Sequence, residues 1–232
     1  MALMPRLRQL LHRQRSTSRV GTRRPTETRR FGDTAHEDAL RALLQDDPND
    51  ARAFDALADL VRRRAVEPTV EDPLTAPEEE VHRQEAADLA VWSLAEELAG
   101  HPKAWRPLLE LGRLSVLEDP EGAARRFATA AEREGTGEAL AESLQILRDA
   151  GMPVEALGLG IGHWRVREQT PGVGRQLVLA AIEAERVFEA RQHLATLAEH
   201  PDTQAVAPMH AELTALVEAA ESADVTTPGS PT

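Results

Sequence analysis

Few side chains in this sequence stand at the spacings that chemistry requires. Of its eight histidines, His193 and His200 are seven residues apart and His36, His82, His101, His163 and His210 are scattered. None lies i, i+4 from another with a glutamate between, the arrangement that puts two imidazoles and a base on one helix face. His101 and His200 each precede a proline, where a turn or cap residue belongs. The carboxylates of Glu78 to Glu80 open a predicted helix and complement its dipole, which needs no acid–base role. Ser93, Ser115 and Ser143 fall within helical patterns and lack the glycine-flanked elbow that exposes a nucleophilic serine. With no cysteine, thiol catalysis, disulfides and cysteine-based zinc sites are excluded. Glycines at 158, 160 and 162 resemble a phosphate-cradling loop only superficially. No strand pattern precedes them, and both the dinucleotide fingerprint and the Walker lysine are missing. Close backbone packing or a frayed helix is the alternative, with His163, Trp164 and Arg165 as the side chains of any local binding feature. These patterns predict a non-enzyme with no cofactor and no metal.

The elements that must position any functional surface are helices. In Leu108 to Ala131, Leu108, Leu111 and Gly112 share one face of a first helix, and Ala124, Ala128 and Ala131 share one face of a second. Between them, Asp119 is placed to cap the second helix and Pro120 to begin it. Small residues sit where the two helices must touch. The pattern recurs: Ala156 follows Ala124 by 32 residues and Ala190 follows Ala156 by 34, each preceded by an apolar helix, Leu140, Leu144 and Leu147 or Leu177, Val178 and Ala181. Three such units are the minimum that buries a continuous core.

This leucine, leucine-glycine, alanine pattern resembles the tetratricopeptide repeat, a helix-turn-helix unit of about 34 residues. The resemblance implies an all-α fold of about ten helices, with antiparallel pairs stacked as an α-solenoid. It also implies a non-catalytic scaffold or adaptor for a protein or peptide, since in that family the first helices of successive pairs line a concave groove. Carried over by offset from the leading anchors Phe54, Leu108, Leu140 and Gly174, the ligand groove comprises Arg52, Arg62, Arg63, Arg106, Arg113, Gln145, Arg148 and Arg175, with Leu109 and Val116 beside them. Guanidinium forks suit carboxylates, so the expected ligand is an acidic segment. The lysine and asparagine of the family's chaperone-binding carboxylate clamp are absent from these positions.

Aromatic residues make up only 3% of the chain, which suits helices packed closely on Ala and Leu and fits poorly with a β-rich core. No apolar run approaches the roughly 18 residues needed to cross a bilayer. Among 27 basic residues only Lys103 is lysine, a bias read as GC-rich coding with a bacterial source as the expectation, while the absence of cysteine is compatible with the expected cytoplasmic location. Net charge is −12, yet residues 1–34 hold nine arginines against Glu27 and Asp33, so the remainder is strongly acidic. Residues 1–33 read as a basic disordered tail, with Leu3, Leu7, Leu10 and Leu11 on one helical side and Arg6, Arg8, Arg13 and Arg15 around them. Two other readings of residues 1–34 are a nucleic-acid or ribosome-surface binding arm and an organelle import signal. Thr34 and Glu37 read as a capping box opening a helical domain over 34–222, interrupted at 65–76 by acids and prolines. Residues 223–232 read as a second disordered tail.

Overall fold

A computed structural model describes residues 27–66 and 76–226, with side chains over 34–66 and 80–223. Among them are ten α-helices and no strand. The chain divides after His101 into two compact units, where the sequence pattern reads as one helical domain. Most of the basic tail, the middle of the interruption at 65–76 and the end of the second tail lie outside the described residues.

The first unit holds α1 (Glu27–Asp46), α2 (Ala51–Ala65) and α3 (Ala76–Ala99). Asp50 opens α2 by accepting from the Ala53 amide at 2.8 Å, satisfying a donor that the first helical turn leaves without an intrahelical partner. Helix α2 packs against both α1 and α3, and Leu44, Phe54, Leu57, Val91 and Trp92 are buried. The expected capping box at Thr34 is not formed. Helix α1 is already under way at Glu27, so Thr34 is interior to it, and Glu37 turns instead to Arg41 at 3.3 Å and to Arg64 of α2 at 2.5 Å. Arg41 in turn donates to both carboxylate oxygens of Glu97 on α3, each at 2.7 Å, so one ionic network links all three helices.

The second unit holds α4 (Arg106–Ser115), α5 (Pro120–Arg133), α6 (Glu138–Asp149), α7 (Pro153–His163), α8 (Pro171–Glu183), α9 (Val187–Leu197) and α10 (Thr203–Thr226). Each helix packs on the next; α4 also packs on α6, α5 on α7, α6 on α8 and α8 on α10. Proline begins α5, α7 and α8, where its missing N–H costs no hydrogen bond, and the Asp119 carboxylate caps α5 through the Gly122 amide at 2.9 Å. The core runs through all seven helices, with Phe127, Leu140, Leu144, Leu177, Leu197 and Leu213 fully enclosed.

Two details of the expected register change. In α5 the buried face is Ala123, Phe127 and Ala130, while Ala124 is only partly buried. Asp119 ends the turn one residue earlier, relative to the alanine, than the 32-residue spacing assumed. With Ala123 as the marker, the fully buried alanines 123, 156 and 190 are 33 and 34 residues apart, and three buried leucines of α4, α6 and α8, Leu111, Leu144 and Leu177, which differ from the expected leading anchors Leu108, Leu140 and Gly174, are 33 apart throughout. In α4, Leu109 and Val116 are core residues at 2% and 6% exposure, whereas Leu108 is only partly buried. The buried side of α4 takes in Pro107, Leu109, Leu111, Gly112 and Ser115, and Val116 directly after the helix is buried too, which removes Leu109 and Val116 from any groove.

The glycines at 158, 160 and 162 lie in regular helix, within α7. A Cβ on Gly160 would sit 2.5 Å from a Leu177 methyl and 3.0 Å from one of Leu144, so its bare backbone is what lets α7 approach α6 and α8. Gly158 and Gly162 face open space. Gly112 is more tightly held, its missing Cβ lying 2.2 Å from the Phe127 ring.

Candidate interaction surface

The eight groove positions divide between the units. Arg52, Arg62 and Arg63 belong to α2 of the first unit; Arg52 and Arg63 are exposed, and Arg62 reaches Asp59 one turn earlier at 3.3 Å. The other five lie on leading helices of the second unit. Arg106 places its guanidinium 4.8 Å from the centroid of the Trp105 ring, a cation–π contact at the start of α4. Arg113 grips Glu110 with two donors, Nε to Oε2 at 2.8 Å and Nη2 to Oε1 at 2.6 Å. Gln145 on α6 is exposed.

Arg148 and Arg175 reach across helices. Arg148 on α6 forks onto both oxygens of Glu183 on α8, its Nε–Oε2 distance being 2.9 Å, and also donates from Nη1 to the Gln176 side chain. Its side chain is 13% exposed. Arg175 on α8 donates to Glu212 on α10 at 2.7 Å, and both partners are substantially exposed. Arg191 of α9 pairs with Glu221 of α10. The arginines therefore do not line an unbroken positive channel. Arg113, Arg148 and Arg175 each hold a carboxylate, and the last two tie α6 to α8 and α8 to α10.

Glu110, Gln176 and Glu212 are the partners that reasoning by offset left out. A signal for one of them was present, since Arg175 and Glu212 are 37 residues apart, one repeat plus one helical turn.

The turns after α5, α7 and α9 hold three of the buried polar side chains, Glu134, Gln169 and His200. Glu134, after α5, accepts from the amides of Thr136 at 2.7 Å and Ala139 at 3.2 Å, which fastens the start of α6. Burial acts to raise the pKa of this carboxyl, but hydrogen bonds from Thr136, Ala139 and Glu138 outweigh it and hold the group below the ordinary carboxylate range. Gly137 follows at φ 87°, a left-handed conformation, and a Cβ there would lie 2.7 Å from Gln169. The next junction attaches directly: the Thr170 amide donates to the Thr136 carbonyl at 2.7 Å, and the Gln169 side chain accepts from the Arg165 amide. His200 completes the row. Its Nδ1 accepts from the Asp202 amide at 3.0 Å, which leaves the proton on Nε2, and Nε2 donates to the Gln169 carbonyl at 2.9 Å.

The side chains beyond the α7 glycines serve the same framework. Trp164 lies against Gly174, where a Cβ would be 2.8 Å from the indole, and the His163 ring bonds back to the Leu159 carbonyl at 3.0 Å. Histidines elsewhere stay apart: among the described residues no three of His, Asp and Glu come together at metal-binding distances. No described helix is long and apolar enough to cross a membrane. Comparison with protein-family models, with curated proteins and with solved structures finds no match to this chain.

Proposed function

We propose that this protein is a non-catalytic interaction scaffold, its second unit an α-solenoid of antiparallel helix pairs resembling the tetratricopeptide repeat. The observation that carries this reading is the repeat itself. Leu111, Leu144 and Leu177 mark the leading helices and Ala123, Ala156 and Ala190 the following ones, all buried and all at spacings of 33 or 34 residues. Contacts between leading helices, α4 with α6, α6 with α8 and α8 with α10, are those that stacked pairs require.

The ligand face in this reading is the outer side of α4, α6 and α8, and its ligand is an acidic protein segment. The arginines there have different tasks. Arg148, enclosed and triply bonded, is a structural tie. Arg113 and Arg175 are 46% and 38% exposed, and each holds a carboxylate of the protein itself in the forked or end-on geometry that a ligand carboxylate would adopt. At Arg175 an acidic segment would bind by exchanging with the exposed Glu212, and at Arg113, whose partner Glu110 is enclosed, by pairing beside that carboxylate. The test is affinity purification from the native cell with the intact protein, Arg113→Glu/Arg175→Glu and Arg148→Met. Loss of a partner in the first variant, at unchanged circular dichroism, supports the assignment. Full retention of every partner overturns it.

A second reading is a nucleic-acid or ribosome-surface binder, favoured by the seven arginines and absence of acids in residues 1–26. It predicts that RNA association is abolished by deleting those residues.

A further inference from the structure

The outer side of α7 is apolar where the equivalent helices are polar. Helix α7 packs on α5, α6 and α8 and buries Ala156, Leu157 and Gly160. Val154, Gly158, Ile161 and Gly162 share the opposite side at helical spacing. Val154 is 49% exposed and Ile161 58%, and a Cβ on either of these glycines would meet nothing within 4 Å. Only Glu155 and His163 are polar among the 11 residues of α7, and a helix apolar on all sides belongs inside a protein. The other following helices show that the repeat does not demand this face. Matched through the buried alanines 123, 156 and 190, the same four positions are Glu121, Arg125, Ala128 and Thr129 in α5 and Phe188, Gln192, Ala195 and Thr196 in α9. Glycine weakens a helix interior, so two glycines with no neighbour to clear point to a second backbone that comes close from outside.

We propose that this face of α7 is a self-association surface, occupied by α7 of a second copy in an antiparallel, two-fold arrangement. Charge selects that occupant. Glu155 stands in the first turn of α7, and Arg165, Arg167 and Glu168 follow its end, so the helix is acidic at one end and net basic at the other. Glu155 and Arg165 are exposed, and neither side chain has an ion-pair partner among the described residues. They lie five residues on either side of Gly160. A two-fold axis level with Gly160 therefore sets Gly158 against Gly162, and Glu155 of each copy beside Arg165 of the other. Parallel pairing, or a partner helix of one charge sign, would leave like charges together at one end. A helix of 11 residues is only about 16 Å long, a contact smaller than a permanent dimer buries. The association is accordingly reversible, formed at high protein concentration and lost at the dilution of an unfolding titration.

Sedimentation equilibrium of the full chain over a concentration series tests the proposal. The mass should rise from 25.4 kDa toward twice that value as concentration increases. Gly158→Gln/Gly162→Thr installs the residues that α9 carries at the same positions, so the fold should tolerate it, with unchanged circular dichroism, while association weakens at least about tenfold. Glu155→Arg and Arg165→Glu should each lower the association constant about tenfold by setting like charges together. An equimolar mixture of those two variants should recover it, because the mixed dimer has opposite charges at both ends. A chain that stays monomeric up to about 1 mM overturns the proposal. So does a dimer that the double glycine variant leaves intact, which would place self-association on another face, and so does a mixture that associates no better than its components.

Discussion

The three glycines of α7 make opposite predictions for the same substitution in one helix. Alanine is favoured over glycine inside a helix by about 0.5 to 1 kcal/mol, because glycine loses more backbone freedom on folding. At Gly158 the new methyl enters open space, so Gly158→Ala should stabilise by about that amount. At Gly160 the same gain is opposed by contacts of 2.5 Å and 3.0 Å to Leu177 and Leu144, both fully enclosed and unable to retreat into solvent. Overpacking of this kind costs about 1 to 3 kcal/mol. Propensity cancels when the two variants are compared, so Gly160→Ala should be the less stable by about 1 to 3 kcal/mol. With a urea slope of about 2 kcal/mol/M, the midpoints should separate by roughly 0.5 to 1.5 M. Far-ultraviolet circular dichroism follows the transition, and Trp164 at the end of α7 gives a local fluorescence signal. A Gly160→Ala midpoint as high as that of Gly158→Ala would refute the close approach of α7 to α6 and α8.

Gly112→Ala should be the harsher test, since its methyl meets the rigid Phe127 ring at 2.2 Å; a loss of about 2 kcal/mol, largely recovered in a Gly112→Ala/Phe127→Leu cycle, is expected in urea titration. For Glu37, burial acts to raise the pKa, but Arg64 and Arg41 outweigh it and hold the group below its ordinary value of 4.5. Its contribution is therefore complete above that value and lost as pH falls through the lower folded-state value. Acid unfolding of the first unit should shift toward neutral pH in Arg64→Met, as read by Trp92 fluorescence. Replacing Glu134 with glutamine removes the charge that two amides address, and should cost about 1 to 3 kcal/mol in thermal or urea unfolding. Arg148→Met should cost about 1 to 2 kcal/mol, against less than about 0.5 for Arg113→Ala, because only the first ties two helices from an enclosed position.

Helix type and the positions of most helix ends were legible in the sequence because proline and aspartate act locally. Asp119 caps α5 and Pro120 begins it, whatever lies across from them. The one-residue error at Ala124 has another origin. Periodicity places Ala123 and Ala124 only 100° apart on a helix, and which of the two meets the partner depends on the length of the preceding turn, a property of both helices. Thr34 failed as a cap for a similar reason. The Thr–Glu pattern also occurs inside helices, and here Glu37 is drawn by Arg41 and by Arg64, the latter 27 residues away.

The arginine face shows why a site is harder to read than a fold. Offset counting put Arg113, Arg148 and Arg175 on the outer side of the leading helices, but a guanidinium spans several ångströms and takes the nearest carboxylate, which for Arg148 and Arg175 lies on the following leading helix. Those partners neutralise the focused positive field that the arginines alone would create, so long-range steering of an anionic segment is weaker than a count of arginines implies. In the proposed scaffold, specificity would rest on short-range exchange. A ligand carboxylate at Arg175 would replace Glu212, whose own 54% exposure lets water take it up at little cost. The same exchange at Arg148 would uncover an enclosed cation and strip a tie between α6 and α8. Binding at Arg175 and stability at Arg148 are therefore separable by mutation: an Arg175→Glu variant should keep its unfolding midpoint within about 0.5 kcal/mol of the parent while losing the partner. A midpoint that falls together with binding would mean that the face is a structural seam alone.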